Sequence, residues 1–106
     1  SDSAILLMLS FSGNNASGGS GNNRLKYTIT RTVGGSESSI VSVDEALVDY
    51  GGGGGGGQGL GNNYLDTGHS TTSEVTYKFK VASSGGGQIQ VNNNGRTDLI
   101  AMEIAG

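Results

Sequence analysis

The sequence predicts an all-β chain: a single jelly-roll-like β-sandwich of about eight antiparallel strands with Gly/Asn-rich loops, spanning residues 1–106. Three observations carry this. Apolar and polar residues alternate with period two in several short segments. Clusters of Gly, Asn and Ser separate those segments at the spacing of turns. The 21 glycines make up for an apolar fraction of only 33%, while the charged fraction is 14% and the formal charge is -3. Disorder normally pairs low hydrophobicity with high net charge, so this chain is expected to fold.

Residues 3–11 (SAILLMLSF) read as the first strand, although a six-residue apolar run is by itself also compatible with a short helix. In strand geometry Ile5, Leu7, Leu9 and Phe11 share one face, and Leu6 and Met8 take the other. Both faces are apolar over the first half, which calls for a second layer of protein on the outside. Residues 12–23 (SGNNASGGSGNN) read as a loop. Residues 24–33 (RLKYTITRTV) alternate Leu25, Tyr27, Ile29, Arg31 and Val33 against Lys26 and three threonines, a strand with one apolar and one wet face. Residues 38–43 (SSIVSV) form a shorter strand after a Gly-Gly turn. Residues 44–50 (DEALVDY) fit one helical turn or an edge strand equally.

Seven consecutive glycines occupy residues 51–57, and the Gly-rich loop is expected to run to residue 61. Such a run carries no side chain to pack and loses the most backbone entropy on ordering, so it reads as a linker or surface loop. Extended glycine strands packed closely on neighbours are the alternative. A short strand ends at residues 64–66. Residues 74–82 (EVTYKFKVA) alternate strictly, with Val75, Tyr77, Phe79 and Val81 facing in. Residues 88–91 (QIQV) form another strand, residues 92–95 (NNNG) read as a hairpin turn, and residues 99–104 (LIAMEI) close the fold. The three Gly-Asn-Asn strings at 13–15, 21–23 and 61–63 are expected to mark turns.

Cysteine and proline are both absent, so neither disulfides nor Pro-stiffened loops support the fold. A small Gly-loaded domain has a thin stability margin, and burial between subunits is the natural supplement. Six basic residues in a net-acidic chain argue against nucleic acid. Residues 4–9 are too short to span a membrane and lack the basic flank of a signal peptide. Ser1 is compatible with removal of an initiator Met, which would make the chain a whole protein.

One string looks catalytic. Asp66-Thr67-Gly68 matches the turn that carries the aspartate of aspartic proteases, where two such carboxylates share a proton. Here the motif lies late in the chain, His69 follows it, and no second characteristic element lies downstream. A polar turn between strands is therefore expected. His69 beside Ser70 and Asp66 has no nucleophile-elbow context and is expected to be a surface turn residue. Asp44, Glu45 and Asp49 do not match a calcium loop. Asn15-Ala16-Ser17 is a sequon of the kind chance supplies. The glycine run lacks the Lys and helix of a phosphate loop. No catalytic, cofactor-binding or metal residue is assigned, and the chain is read as a non-enzyme that needs no cofactor.

From residue 64 onward the string LDTGHSTTSEVTYKFKVASSGGG, a short polar loop and DLIAMEIAG resemble the C-terminal strands of bacteriophage virion structural and tail-fibre proteins, especially those of marine phages. The matching positions are residues 65–67, 71–73, 76–78 and 102–104. Gly68 stands where that family usually has Pro, and the 92–96 loop is short. The resemblance implies a jelly roll related to trimeric C1q/TNF-like heads, in which the first and last strands lie side by side and face a threefold axis. That arrangement would account for the two most apolar strands being the first and the last. The expected assembly interface is therefore Ile5, Leu6, Leu7, Met8, Leu9, Ile100, Met102 and Ile104.

These readings lead to a structural protein of the virion surface: a capsid-decorating (cement) protein or fibre module, trimeric, with other virion proteins such as the major capsid protein as partners. A tail-fibre tip that binds a host surface glycan, and an extracellular filament subunit built by strand addition, are the alternatives.

Overall fold

A computed structural model describes residues 3–17, 23–49, 57–84, 88–91 and 95–105. Among these the chain is all-β, with seven strands and no helix: β1 (Ala4–Ser17), β2 (Asn23–Val33), β3 (Ser36–Asp49), β4 (Gly57–Asp66), β5 (Val75–Ser84), β6 (Gln88–Val91) and β7 (Asp98–Ile104). They form two antiparallel sheets. In sheet A, β1 is central, with β4 on one side and β6 and β7 on the other. Sheet B has the order β3-β2-β5.

The strand β1 sets the long dimension. Its 14 residues at about 3.4 Å each span most of a molecule measuring 50 × 24 × 16 Å. Its inward positions Leu7, Leu9 and Phe11 meet Leu25, Tyr27 and Ile29 of β2, and these six side chains are the buried core. Burying each contributes about 1.5–3 kcal/mol. Phe11 links the sheets further, its ring centroid lying 5.5 Å from that of Tyr27 and 4.8 Å from that of Phe79. The inward set expected in β5 (Val75, Tyr77, Phe79, Val81) pairs with the inward set of β2, residue against residue, but Val81 at the far end is left exposed.

The Gly-Gly turn joins β2 to β3 as a two-residue hairpin. Val33 pairs with Ser36, and Gly34 and Gly35 both take positive φ, at 56° and 83°. Two successive left-handed residues match the twist of the flanking strands.

Several sequence expectations are corrected. The first strand does not stop at Phe11: β1 runs to Ser17 and takes up Gly13, Asn14 and Asn15 as paired strand residues. The third strand, expected over 38–43, runs from Ser36 to Asp49, which decides the open choice for residues 44–49 in favour of the edge strand; Tyr50 lies outside the described residues. The expected loop over 51–61 contains the start of β4, since Gly57 through Gly61 pair with β1; residues 51–56 lie outside the described residues. Intrinsic propensity disfavours strand at all these Gly and Asn positions, but the long apolar β1 offers a complete ladder of backbone partners, and pairing overrides propensity.

The expected 92–95 hairpin is not one. Both β6 and β7 run antiparallel to β1, β6 along its C-terminal half and β7 along its N-terminal half. They are two segments of one line, interrupted between Val91, opposite Gly13, and Asp98, opposite Ser10. Residues 92–94 are outside the described residues. At the return, a Cβ on Gly95 would lie 2.5 Å from Ser12 Oγ, so any larger residue there would have to displace the Ser12 side chain.

Candidate functional site

The two sheets carry opposite outer faces. On sheet B the outward positions are Lys26, Thr28, Thr30 and Thr32 of β2 with Thr76, Lys78 and Lys80 of β5. There Thr30 Oγ1 donates to Glu37 at 3.0 Å, and Lys80 Nζ donates to the other oxygen of Glu37 at 2.6 Å. This face is wet.

On sheet A the outward positions near the start of β1 are apolar across all three strands. Register places Leu65, Leu6 and Met102 in one cross-strand row, and in the next sets Met8 between Ile100 and the polar Asn63. Ala4 sits against Ile104. Leu65 (51%), Ile100 (52%), Met102 (45%) and Ile104 (41%) are exposed, while Leu6 and Met8 are half-buried at the centre. Further along β1 the face turns small and polar, with Ser10 opposite Gly61 and Ser12 opposite Gly59. The apolar patch thus has an edge.

The eight expected interface residues divide between the two sides of sheet A. Leu6, Met8, Ile100, Met102 and Ile104 form the outer patch. Leu7 and Leu9 are fully buried in the chain's own core, and Ile5 packs against it. Strand alternation sends neighbours to opposite faces, so a continuous apolar run serves the core and the outside by turns. Leu65 also belongs to the patch, although the expected interface does not include it. Its sequence signal is the inward placement of Tyr64 and Asp66 on either side.

Asp66 ends β4 on the inner side and is 1% exposed. Arg31 Nη1 of β2 donates to Asp66 Oδ1 at 2.6 Å, the Gly68 amide donates to the same oxygen at 3.0 Å, and Tyr77 Oη of β5 donates to Oδ2 at 2.7 Å. Burial pushes the carboxyl pKa up, but the Tyr77, Gly68 and Arg31 contacts outweigh it and hold it below the usual carboxylate range. Burial and the Asp66 acceptor together raise the Tyr77 phenol. The Asp-Thr-Gly string is therefore a turn whose aspartate joins the sheets. A charged Arg31 at an inward position of β2 is the sequence signal for a buried carboxylate.

A second inter-sheet bond runs from Asn62 Nδ2 to Tyr27 Oη at 2.7 Å. Asn62 belongs to a Gly-Asn-Asn string expected to be a turn; it is an inward-facing strand residue instead.

His69 is buried at 8% exposure, not the surface turn residue expected, and its Nδ1 has no hydrogen-bond partner among the described residues. Ser70, beside it, has a φ of 40°. Among the described residues no three His, Cys, Asp or Glu side chains converge to hold a metal. The side chains of Glu45 and Asp49 lie outside that set. No helix is long and apolar enough to cross a membrane among the described residues.

Comparison with protein-family models, with curated proteins and with solved structures finds no match to this chain.

Proposed function

We propose that the chain is a non-enzymatic structural protein of the virion surface, a capsid-decorating or fibre module that assembles as a homotrimer by burying the outer face of sheet A between copies. The observation that carries the assembly is the apolar patch centred on Leu6 and Met102. Contiguous exposed apolar surface of this kind marks an interaction site. Its outward residues include no charge, so copies of a chain with net charge -3 can meet there without like-charge repulsion.

The bacteriophage setting rests on the resemblance of residues 64–106 to virion proteins. The side-by-side placement of β1 and β7 is what a jelly-roll head of the C1q/TNF-like type requires, with this face toward the threefold axis. In this reading the wet face of sheet B points outward, the function is interface burial and reinforcement, and the major capsid protein is the expected neighbour on the particle.

Native mass by light scattering tests it. A discrete trimer that Leu6→Asp or Met102→Asp converts to folded monomer supports the proposal. A stable wild-type monomer at high concentration overturns the assembly, and fibres of indefinite mass redirect it to strand addition at the sheet edges.

A further inference from the structure

The sheets do not close on each other along the β5 and β7 edges, and a cleft of about 540 Å³ opens there. Ile5, Val75 and Ala101 supply an apolar wall. Thr71, Thr72, Ser73 and Glu103 supply hydroxyls and one carboxylate, and Tyr77 also lines the cleft. The volume falls within the range of about 300–1,000 Å³ that small-molecule sites occupy.

Two local anomalies meet at this cleft. His69 lines it and keeps a buried Nδ1 without a partner among the described residues, a hydrogen-bonding capacity the fold leaves unused. Ser70 takes a left-handed φ of 40° without being glycine, in the turn that carries the chain from buried His69 to the cleft-lining 71–73 segment. Unpartnered buried polar atoms and left-handed non-glycine residues concentrate where a structure serves binding instead of stability.

We infer that this cleft binds a neutral polyhydroxylated ring, the chemistry of a single sugar residue. Among the described residues no Lys or Arg lines it, and Glu103 repels anions. A cation would find one exposed carboxylate, a weak partner in water. A purely apolar ligand would strand the hydroxyls of Thr72 and Ser73. A sugar ring satisfies both halves, packing its C–H face on Ile5 and Val75 and exchanging hydrogen bonds with the hydroxyls and Glu103. The cleft uses the inward position Glu103 of β7, whereas assembly uses the outward Ile100, Met102 and Ile104, so the two readings fail separately.

The test is an amide-resolved NMR titration of the full chain with methyl glycosides of glucose, galactose, mannose and N-acetylglucosamine, up to about 50 mM. Saturable shifts confined to residues 69–75 and 101–103, weakened about tenfold in the Thr72→Val/Glu103→Gln variant, support the site. Both substituted residues are exposed, so the variant tests binding without threatening the fold. A longer glycan that binds more tightly points to a glycan source, and equal response to a linear polyol points to free polyols. No saturable shift with any probe, shifts elsewhere on the molecule, or unchanged binding by the variant overturns the inference.

Discussion

Arg31 and Asp66 lie in opposite sheets, separated by 35 positions in the chain, and Arg31 Nη1 reaches Asp66 Oδ1 at 2.6 Å. Tyr77, from a third strand, holds the other carboxylate oxygen. Three strands therefore converge on one buried aspartate. Asp66→Ala would leave Arg31 and Tyr77 without their acceptor, and urea denaturation is expected to report a loss of about 3–5 kcal/mol.

The same carboxylate gives the fold an acid limit. Its folded pKa lies below the unfolded value of about 3.9, so its contribution is complete above that value and disappears as pH falls through the folded one. Stability should drop on acidification below about pH 4. Lys80 and Thr30 also hold exposed Glu37 low, so the wild-type curve contains both groups. Asp66→Asn isolates its share: the variant's stability should fall less steeply with acid than that of the wild type.

Tyr77→Phe keeps the ring and removes one donor to Asp66. The expected loss is about 1.5–3 kcal/mol, measured by urea unfolding at neutral pH. In the wild type the phenol is raised above its usual value of about 10, so its contribution is present below that pH and is lost only as pH rises through the raised value. A wild-type fold that weakens already at mildly alkaline pH through Tyr77 ionisation would contradict this placement.

Neighbouring residues of β1 should respond in different ways. Leu7→Ala empties a fully buried core position and is expected to cost about 2–5 kcal/mol in chain stability. Met8→Ser touches the outer face and should leave the unfolding of a dilute monomer within about 0.5 kcal/mol while weakening assembly. Equal effects of both on monomer stability would mean that β1 has no separate outer face.

Where the chain returns to β1 after β6, Gly95 is pressed against Ser12. A Cβ there meets Ser12 Oγ at 2.5 Å and Ser12 Cβ at 3.1 Å, so Gly95→Ala should destabilise by about 1–3 kcal/mol. Ser12→Gly in the same chain should recover part of that loss. Strict additivity of the two substitutions in chemical denaturation would rule out the contact.

Alternation alone determined a good deal of this protein. It predicted the all-β class, the inward faces of β2 and β5, and the excess of apolar surface on the first and last strands, because side chains in a strand point to opposite faces with period two. The Gly-Gly turn at residues 34–35 was equally legible, since two left-handed residues in succession are what a tight hairpin needs. Pairing between distant segments decided the rest. The Gly-Asn-Asn strings at 13–15 and 61–63 entered strands because β1 and β4 offered each other's backbones a full ladder, and no local signal records a partner about 50 residues away. The break between β6 and β7 resembled a hairpin because turn residues specify a local change of course, while the direction in which the chain resumes is set by β1. The string at Asp66 read as a polar turn, but the burial of its carboxylate with Arg31 and Tyr77 was not legible, since the groups that stabilise a buried carboxylate come from other strands.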